Sequence, residues 1–150
     1  MLRRFTMKTW VVVASAARAR IFESLARRQP MRELEDLINP EEPLPPRSLK
    51  SDRHGRAVDS RGGRGHAMQA RVGPKEQLAR RFAKRVVGSL DRGLRRNRFE
   101  RLCLIAPPHF LGLLRSQMDP GLARTVEVEV QKDLTREDPM RIRAQVQTQA

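Results

Sequence analysis

Between Ser51 and Gly73 the chain reads SDRHGRAVDSRGGRGHAMQARVG, in which Gly55, Gly62, Gly63 and Gly65 are interleaved with Arg53, Arg56, Arg61, Arg64 and Arg71. Glycine lets a backbone pass close to a ligand or take positive φ, and arginine offers paired donors to phosphate or carboxylate. The chemistry such a segment could do is recognition of an anion. The same composition also describes a linker of solvated charge, and loops of this length are usually either functional or disordered.

Other reactive side chains give less. His54, His66 and His109 lack the close pairing of a zinc site. Cys103 is the single cysteine, which excludes an internal disulfide and a thiolate cluster; inside the apolar run Leu102 to Ala106 it is expected to be a small core residue rather than a nucleophile. No glycine-rich phosphate loop followed by Lys-Ser/Thr occurs. Ala106-Pro107-Pro108-His109-Phe110 either presents a helix N-terminus to an anion or simply connects a strand to a helix. The expectation is a protein without catalytic residues, metal or cofactor.

Charge points the same way as the loop. The chain has 150 residues and a formal net charge of +14, enough to attract phosphate backbones or an anionic surface over distance. Seventeen basic and five acidic residues lie between Arg47 and Arg101, so that segment holds +12 of the total. A GC-rich genome would explain arginine over lysine, but less easily the net charge. The longest apolar run, Trp10 to Ala17, is about half of what a bilayer crossing needs, and no signal-peptide pattern follows Met1. A reducing, cytoplasmic compartment is expected, with residues 1–8 as a flexible leader, Met7 being equally acceptable as a start. Residues 9–150 are expected to form one domain, with a mobile Pro/Gly/Arg-rich segment over 39–73.

The elements that must position this loop follow from patterning. Thr9 to Ser15 is a short β-branched run, expected to be a buried strand. Arg18 to Leu25 and Met31 to Leu37 continue a strand meander, with helix as the alternative. Pro40, Pro43, Pro45 and Pro46 end it. After the loop, Pro74 opens a helix to Asn97, in which Leu78, Phe82, Val86, Leu90 and Leu94 recur every fourth residue. Its other face carries Arg80, Arg81, Lys84, Arg85, Arg92, Arg95 and Arg96, a basic surface or simply a solvated one. Leu102 to Ala106 is a central strand, and Pro107 and Pro108 begin a helix with Phe110, Leu111, Leu113, Leu114 and Met118 inward. Asp119, Pro120 and Gly121 are stop signals. Thr125 to Val130 alternates, placing Val126, Val128 and Val130 inward and Glu127 and Glu129 outward. Thr135 or Asp138 caps a last helix from Pro139 to about Gln147, held by Met140, Ile142 or Val146. The sum is an α/β, three-layer, single-domain mixed sheet.

Several of these segments together resemble the bacterial family of host attachment proteins: Trp10-Val11-Val12-Val13-Ala14, Ala17-Arg18-Ala19-Arg20-Ile21-Phe22, Gly55-Arg56 with the glycine-rich loop, Ala106-Pro107-Pro108, Phe110-Leu111-Gly112-Leu113-Leu114-Arg115 and Lys132-Asp133-Leu134-Thr135. They cover about Thr9 to Val146. Ser15 stands where the family commonly has an aspartate, so no role of that carboxylate carries over. The order of elements is also similar to the ribonuclease H-like central domain of eukaryotic and archaeal class I release factors, in which a Gly-Gly-Gln loop precedes a long basic helix. Here Arg61-Gly62-Gly63-Arg64 takes the loop's place, with Arg64 where the glutamine would stand.

The resemblance implies docking on structured RNA or the ribosome through loop 51–73 and helix 74–97. Arg53, Arg56, Arg61, Gly62, Gly63, Arg64, Arg71, Arg80, Arg81, Lys84 and Arg85 are the expected contacts. Peptidyl-tRNA hydrolysis is disfavoured by Arg64. Nuclease chemistry is disfavoured because neither Thr9 to Ser15 nor Leu102 to Ala106 carries a metal-binding carboxylate. The alternative function is the one in the family's name, attachment, exerted directly or through other factors.

Overall fold

The computed structural model describes residues 8–25, 29–40 and 73–149. Five strands form one sheet: β1 (Thr9–Ala14), β2 (Arg18–Ser24), β3 (Arg32–Ile38), β4 (Arg101–Ile105) and β5 (Val126–Val130). The spatial order is β3-β2-β1-β4-β5. β1, β2 and β3 pair antiparallel as the expected meander, while β4 lies parallel to β1 and β5 parallel to β4. Four helices accompany it among the described residues: α1 (Pro74–Arg95), α2 (Pro108–Gln117), α3 (Pro120–Ala123) and α4 (Pro139–Gln149).

The apolar run of β1 is buried on both sides because the sheet is covered on both. Trp10, Val12 and Ala14 point into a large core with α1, α2 and α3, through Phe82, Val86, Leu90, Phe110, Leu114 and Leu122. Val11 and Val13 point into a smaller one with Phe22, Cys103, Ile105, Val130 and Ile142 of α4. Uniformly apolar β1 and β4 are therefore central strands, as sheets covered on both faces require.

Contact between α1 and β1 is set by one absent side chain. A Cβ on Gly93 would lie 2.4 Å from Trp10 Cη2 and 2.7 Å from its Cζ3, so only glycine lets the helix settle against the indole. Trp10 also packs on Phe99, ring centroids 4.7 Å apart. Two residues short of the expected end, α1 closes at Arg95: Asn97 takes φ 56°, Arg98 N–H donates to Gly93 O at 2.8 Å and Asn97 N–H to Leu94 O at 2.9 Å. This left-handed stop returns orphan carbonyls their donors.

Three expectations need correction. Asp119-Pro120-Gly121 does not simply end regular structure: Asp119 Oδ1 accepts from Leu122 N–H at 2.9 Å and caps the short α3, with Pro120 as its first residue. β5 does not alternate throughout. A register shift between Leu102 and Cys103 pairs Leu102 with Val126 but Cys103 with Val128, so the extra residue, Glu127, sends Val126 to the large core and Val128 and Val130 to the small one. Glu129 then turns toward α2, 3.3 Å from Arg115 Nε. Met140 is 80% exposed, and of the three apolar residues named for this helix Ile142 and Val146 are the ones packed in the small core; the first turn of α4 is capped by Asp138 Oδ1 accepting from Arg141 N–H at 3.0 Å.

Residues 41–72, with most of the segment expected to be mobile, and residues 1–7 of the expected leader lie outside the described residues. The segment's first and last residues are described. Asn39 is buried, its N–H donating to Ala17 O and its Nδ2 to Ala16 O, and Gly73 is the residue before α1. Replacing Gly93 by Ala is expected to destabilise the protein by about 1–3 kcal/mol through overpacking against Trp10. Gly88→Ala, at a site where a Cβ meets only Arg92 Nη1 at 3.7 Å, is expected to stabilise it by about 0.5–1 kcal/mol. Urea unfolding midpoints would check the opposite signs.

Candidate nucleic-acid interface

The 22 residues of α1 bury Ala79, Phe82, Ala83, Val86, Val87, Ser89, Leu90 and Gly93 against the sheet. Periodicity then forces the intervening residues outward. Arg80, Arg81, Lys84 and Arg85 are all exposed, and they share the N-terminal half of the helix as expected. Several are held in place. Arg80 Nε lies 3.5 Å from Glu76 Oε2. Arg85 Nη1 donates to Ile38 O at 3.2 Å, and its guanidinium sits 5.7 Å from the Phe82 ring centroid. Arg92 donates to Ser89 Oγ at 3.2 Å, and Ser89 Oγ donates to Glu35 Oε1 at 3.1 Å.

These contacts locate the base of the long loop. The chain leaves the sheet just after Ile38, whose carbonyl Arg85 holds, and it returns at Gly73, twelve residues earlier along α1 or about 18 Å at helical rise. Arg80, Arg81 and Lys84 therefore lie between the described residues on either side of segment 41–72, Ile38 to Pro40 and Gly73. Arg53, Arg56, Arg61, Gly62, Gly63, Arg64 and Arg71 fall outside the described residues.

At the start of α1, Glu76 meets His109 of α2, Oε1 to Nε2 at 2.8 Å. The carboxyl of Glu76 is held below its ordinary value of 4.5, first by the hydrogen bond to His109 and then by the charges of His109 and Arg80. Of the two readings of the Ala106 to Phe110 segment, the connection is what the chain shows: it leads from β4 into α2, and the second residue of that helix already faces a carboxylate of the protein itself.

A second polar cluster, which the sequence reading did not single out as a site, ties the far side of the sheet together. Arg20 is 8% exposed. It donates to Glu33 through Nε (3.0 Å) and Nη2 (3.1 Å), and through Nη1 to the carbonyls of Thr135 (3.0 Å) and Glu137 (2.8 Å). Its guanidinium also lies 5.0 Å from the Phe22 ring centroid. Arg18 makes a two-bonded pair with Asp36, at 2.8 and 2.7 Å, and reaches Thr135 O at 3.3 Å. Asp133 Oδ1 accepts from both Thr135 N–H and Thr135 Oγ1. Two sequence segments on which the resemblance rests, Ala17 to Phe22 and Lys132 to Thr135, thus meet in space. Alternating arginines in a strand were the only available sign, because their partners lie 115 and 117 residues away.

Cys103 is buried, and burial pushes its thiol up to about 11, which suits a packing residue and not a thiolate nucleophile. Among the described residues no group of three His, Cys, Asp or Glu side chains could hold a metal ion, and no helix is long and apolar enough to cross a membrane. An open groove of about 580 Å³ between α2, α3 and β5 is lined by Gly112, Arg115, Ser116, Met118, Ala123, Val126 and Glu129. Of the expected contacts among the described residues, Arg80, Arg81, Lys84 and Arg85, none lines it.

The family model for proteins required for attachment to host cells matches residues 10–146, nearly the whole chain, and the chain belongs to that family. A comparison with curated proteins gives no match.

The carboxyl of Asp36, hydrogen-bonded by Arg18, is held below its ordinary 3.8, as that of Glu76 is below 4.5. Both are lower in the folded than in the unfolded chain, so their stabilisation is complete above those values and is lost as pH falls through the folded ones. Asp36→Asn should therefore lower stability at neutral pH and flatten the acid limb between about pH 5 and pH 2, measured by urea midpoints. Removing Arg20, a buried ion-pair partner, should destabilise by about 3 kcal/mol or more in Arg20→Ala.

Proposed function

We propose that this member of the host attachment family is a non-catalytic basic binding module for structured RNA, acting on the ribosome, and that it makes contact through loop 51–73 and α1. The observation that carries the reading is the grouping of exposed Arg80, Arg81, Lys84 and Arg85 on α1, between Gly73 at the helix start and Ile38, whose carbonyl accepts from Arg85. Phosphate contacts from such groups position a protein on nucleic acid without reading sequence. The sheet order β3-β2-β1-β4-β5, with its antiparallel meander and two parallel additions, supports a ribonuclease H-like assignment, similar to the central domain of class I release factors.

In this reading the loop approaches phosphates through Arg61 and Arg64 and through the backbone at Gly62 and Gly63, and no peptide is released. Two alternatives have their own tests. Attachment, the role in the family's description, is assigned here to an indirect effect; labelling of the protein on intact cells would reverse that. Loss of peptide release from tRNA in Arg64→Ala, with RNA binding intact, would establish hydrolase activity instead.

The deciding experiment is sedimentation of cell extracts through sucrose at low and high salt. Comigration with ribosomes, lost at high salt, is expected. A protein that stays at the top of the gradient at low salt contradicts the proposal. With purified protein, RNA affinity should fall about a thousandfold between about 50 and 200 mM salt, as several released counterions require. The double variant Arg81→Glu, Arg85→Glu should bind more than about tenfold more weakly.

A further inference from the structure

The basic surface of α1 does not stop at the four residues beside the loop. Counting from Arg81, Lys84, Arg85, Arg92 and Arg95 follow at three, four, eleven and fourteen residues, within a sector of about 100° of a helix with about 3.6 residues per turn, and Arg96 is the residue just beyond the helix end. All six are exposed. They form one straight cationic ridge about 22 Å long at helical rise. At its middle is Gly88, between Lys84 and Arg92 on the same face. Nothing in the packing requires a glycine there, since its missing Cβ would touch only Arg92 Nη1, at 3.7 Å.

The aromatic residues decide what such a ridge can hold. Trp10, Phe22, Phe82, Phe99 and Phe110 are all 4% exposed or less, Phe5 falls outside the described residues, and the chain has no tyrosine. Single-stranded RNA is held by bases stacking on exposed aromatic rings. Double-helical RNA hides its bases and offers rows of phosphates and 2′-hydroxyls in a fixed geometry, which proteins recognise by shape and backbone. Among the described residues no Trp or Phe ring is exposed beside this row of guanidinium and ammonium groups, which complements the second ligand.

Resting on the RNA-binding reading above, we propose that the exposed face of α1 from Arg81 to Arg95, with the adjoining Arg96, docks on the phosphate backbone of an RNA double helix. Arg92, Arg95 and Arg96 then take part equally with the residues beside the loop, and Gly88 lies at the centre of the contact.

Gly88 makes a test that separates binding from folding. Glutamate and lysine are both better helix formers than glycine, and either at position 88 stands four residues from Lys84 and from Arg92. Neither Gly88→Glu nor Gly88→Lys should lower the unfolding midpoint. Binding of the full chain to an RNA duplex of about 16 base pairs or more would be followed by fluorescence anisotropy at low salt. Gly88→Glu is expected to weaken it on the order of tenfold and Gly88→Lys to tighten it severalfold, with a salt slope steeper by about 0.9. Unchanged affinity in both variants, with loss only in Arg61→Ala, Arg64→Ala, would overturn this proposal and leave the loop-centred reading standing. Tighter binding to one strand of the duplex, or to vesicles rich in anionic lipid, would also overturn it. No binding to duplex or single strand at low salt would defeat both readings.

Discussion

The approach of α1 to the sheet, at a distance only Gly93 permits beside Trp10, is the constraint on which the rest depends. It fixes the rotation of the helix. With Phe82, Val86 and Leu90 turned inward, the arginines between them have one direction left to face. The basic surface is therefore not an independent feature of the molecule but the reverse of its largest core. Because Gly73 precedes the same helix, the packing also fixes where the chain re-enters the sheet domain after residues 41–72. Stability and the candidate interface are coupled through one helix axis, and a change on its inner side would disturb the outer side too.

The opposite face of the sheet is held by different means. Its apolar cluster is small, and Arg20 supplements it by spending its donors on Glu33 and on two backbone carbonyls before α4. A buried guanidinium is tolerated because its partners are supplied together. Truncating it would remove the donors it gives to Glu33 and to the carbonyl of Glu137, while Thr135 O would keep only the longer bond from Arg18. Two of the segments that carry the resemblance, Ala17 to Phe22 and Lys132 to Thr135, in this way close the sheet against the approach to α4.

Much of this was legible from local pattern. The four-residue recurrence in α1 and the continuous apolar runs of β1 and β4 reflect burial that each segment experiences along its own length. Misreadings arose where a distant partner decides. The bulge at Glu127 comes from the register of β4 against β5, which alternation in Val126 to Val130 cannot reveal. Asp119-Pro120 has the chemistry of a turn and of a helix cap at once, and Leu122 buried among the large core settles it as a cap. The strand expected over Arg18 to Leu25 is present as β2, but the burial of Arg20 within it could not be read locally, because its carbonyl partners at residues 135 and 137 are far along the chain. In the candidate interface, Arg80, Arg81, Lys84 and Arg85 were placed by helical period alone, whereas their relation to the loop's ends needed Arg85's bond to Ile38.

Backbone amide shifts followed by NMR while an RNA duplex is added would test the central claim most directly. The account predicts changes along Arg81 to Arg96 of α1 that vanish at high salt, with the groove between α2 and β5 unaffected. Changes confined to that groove or to α4, or none at low salt, would contradict it.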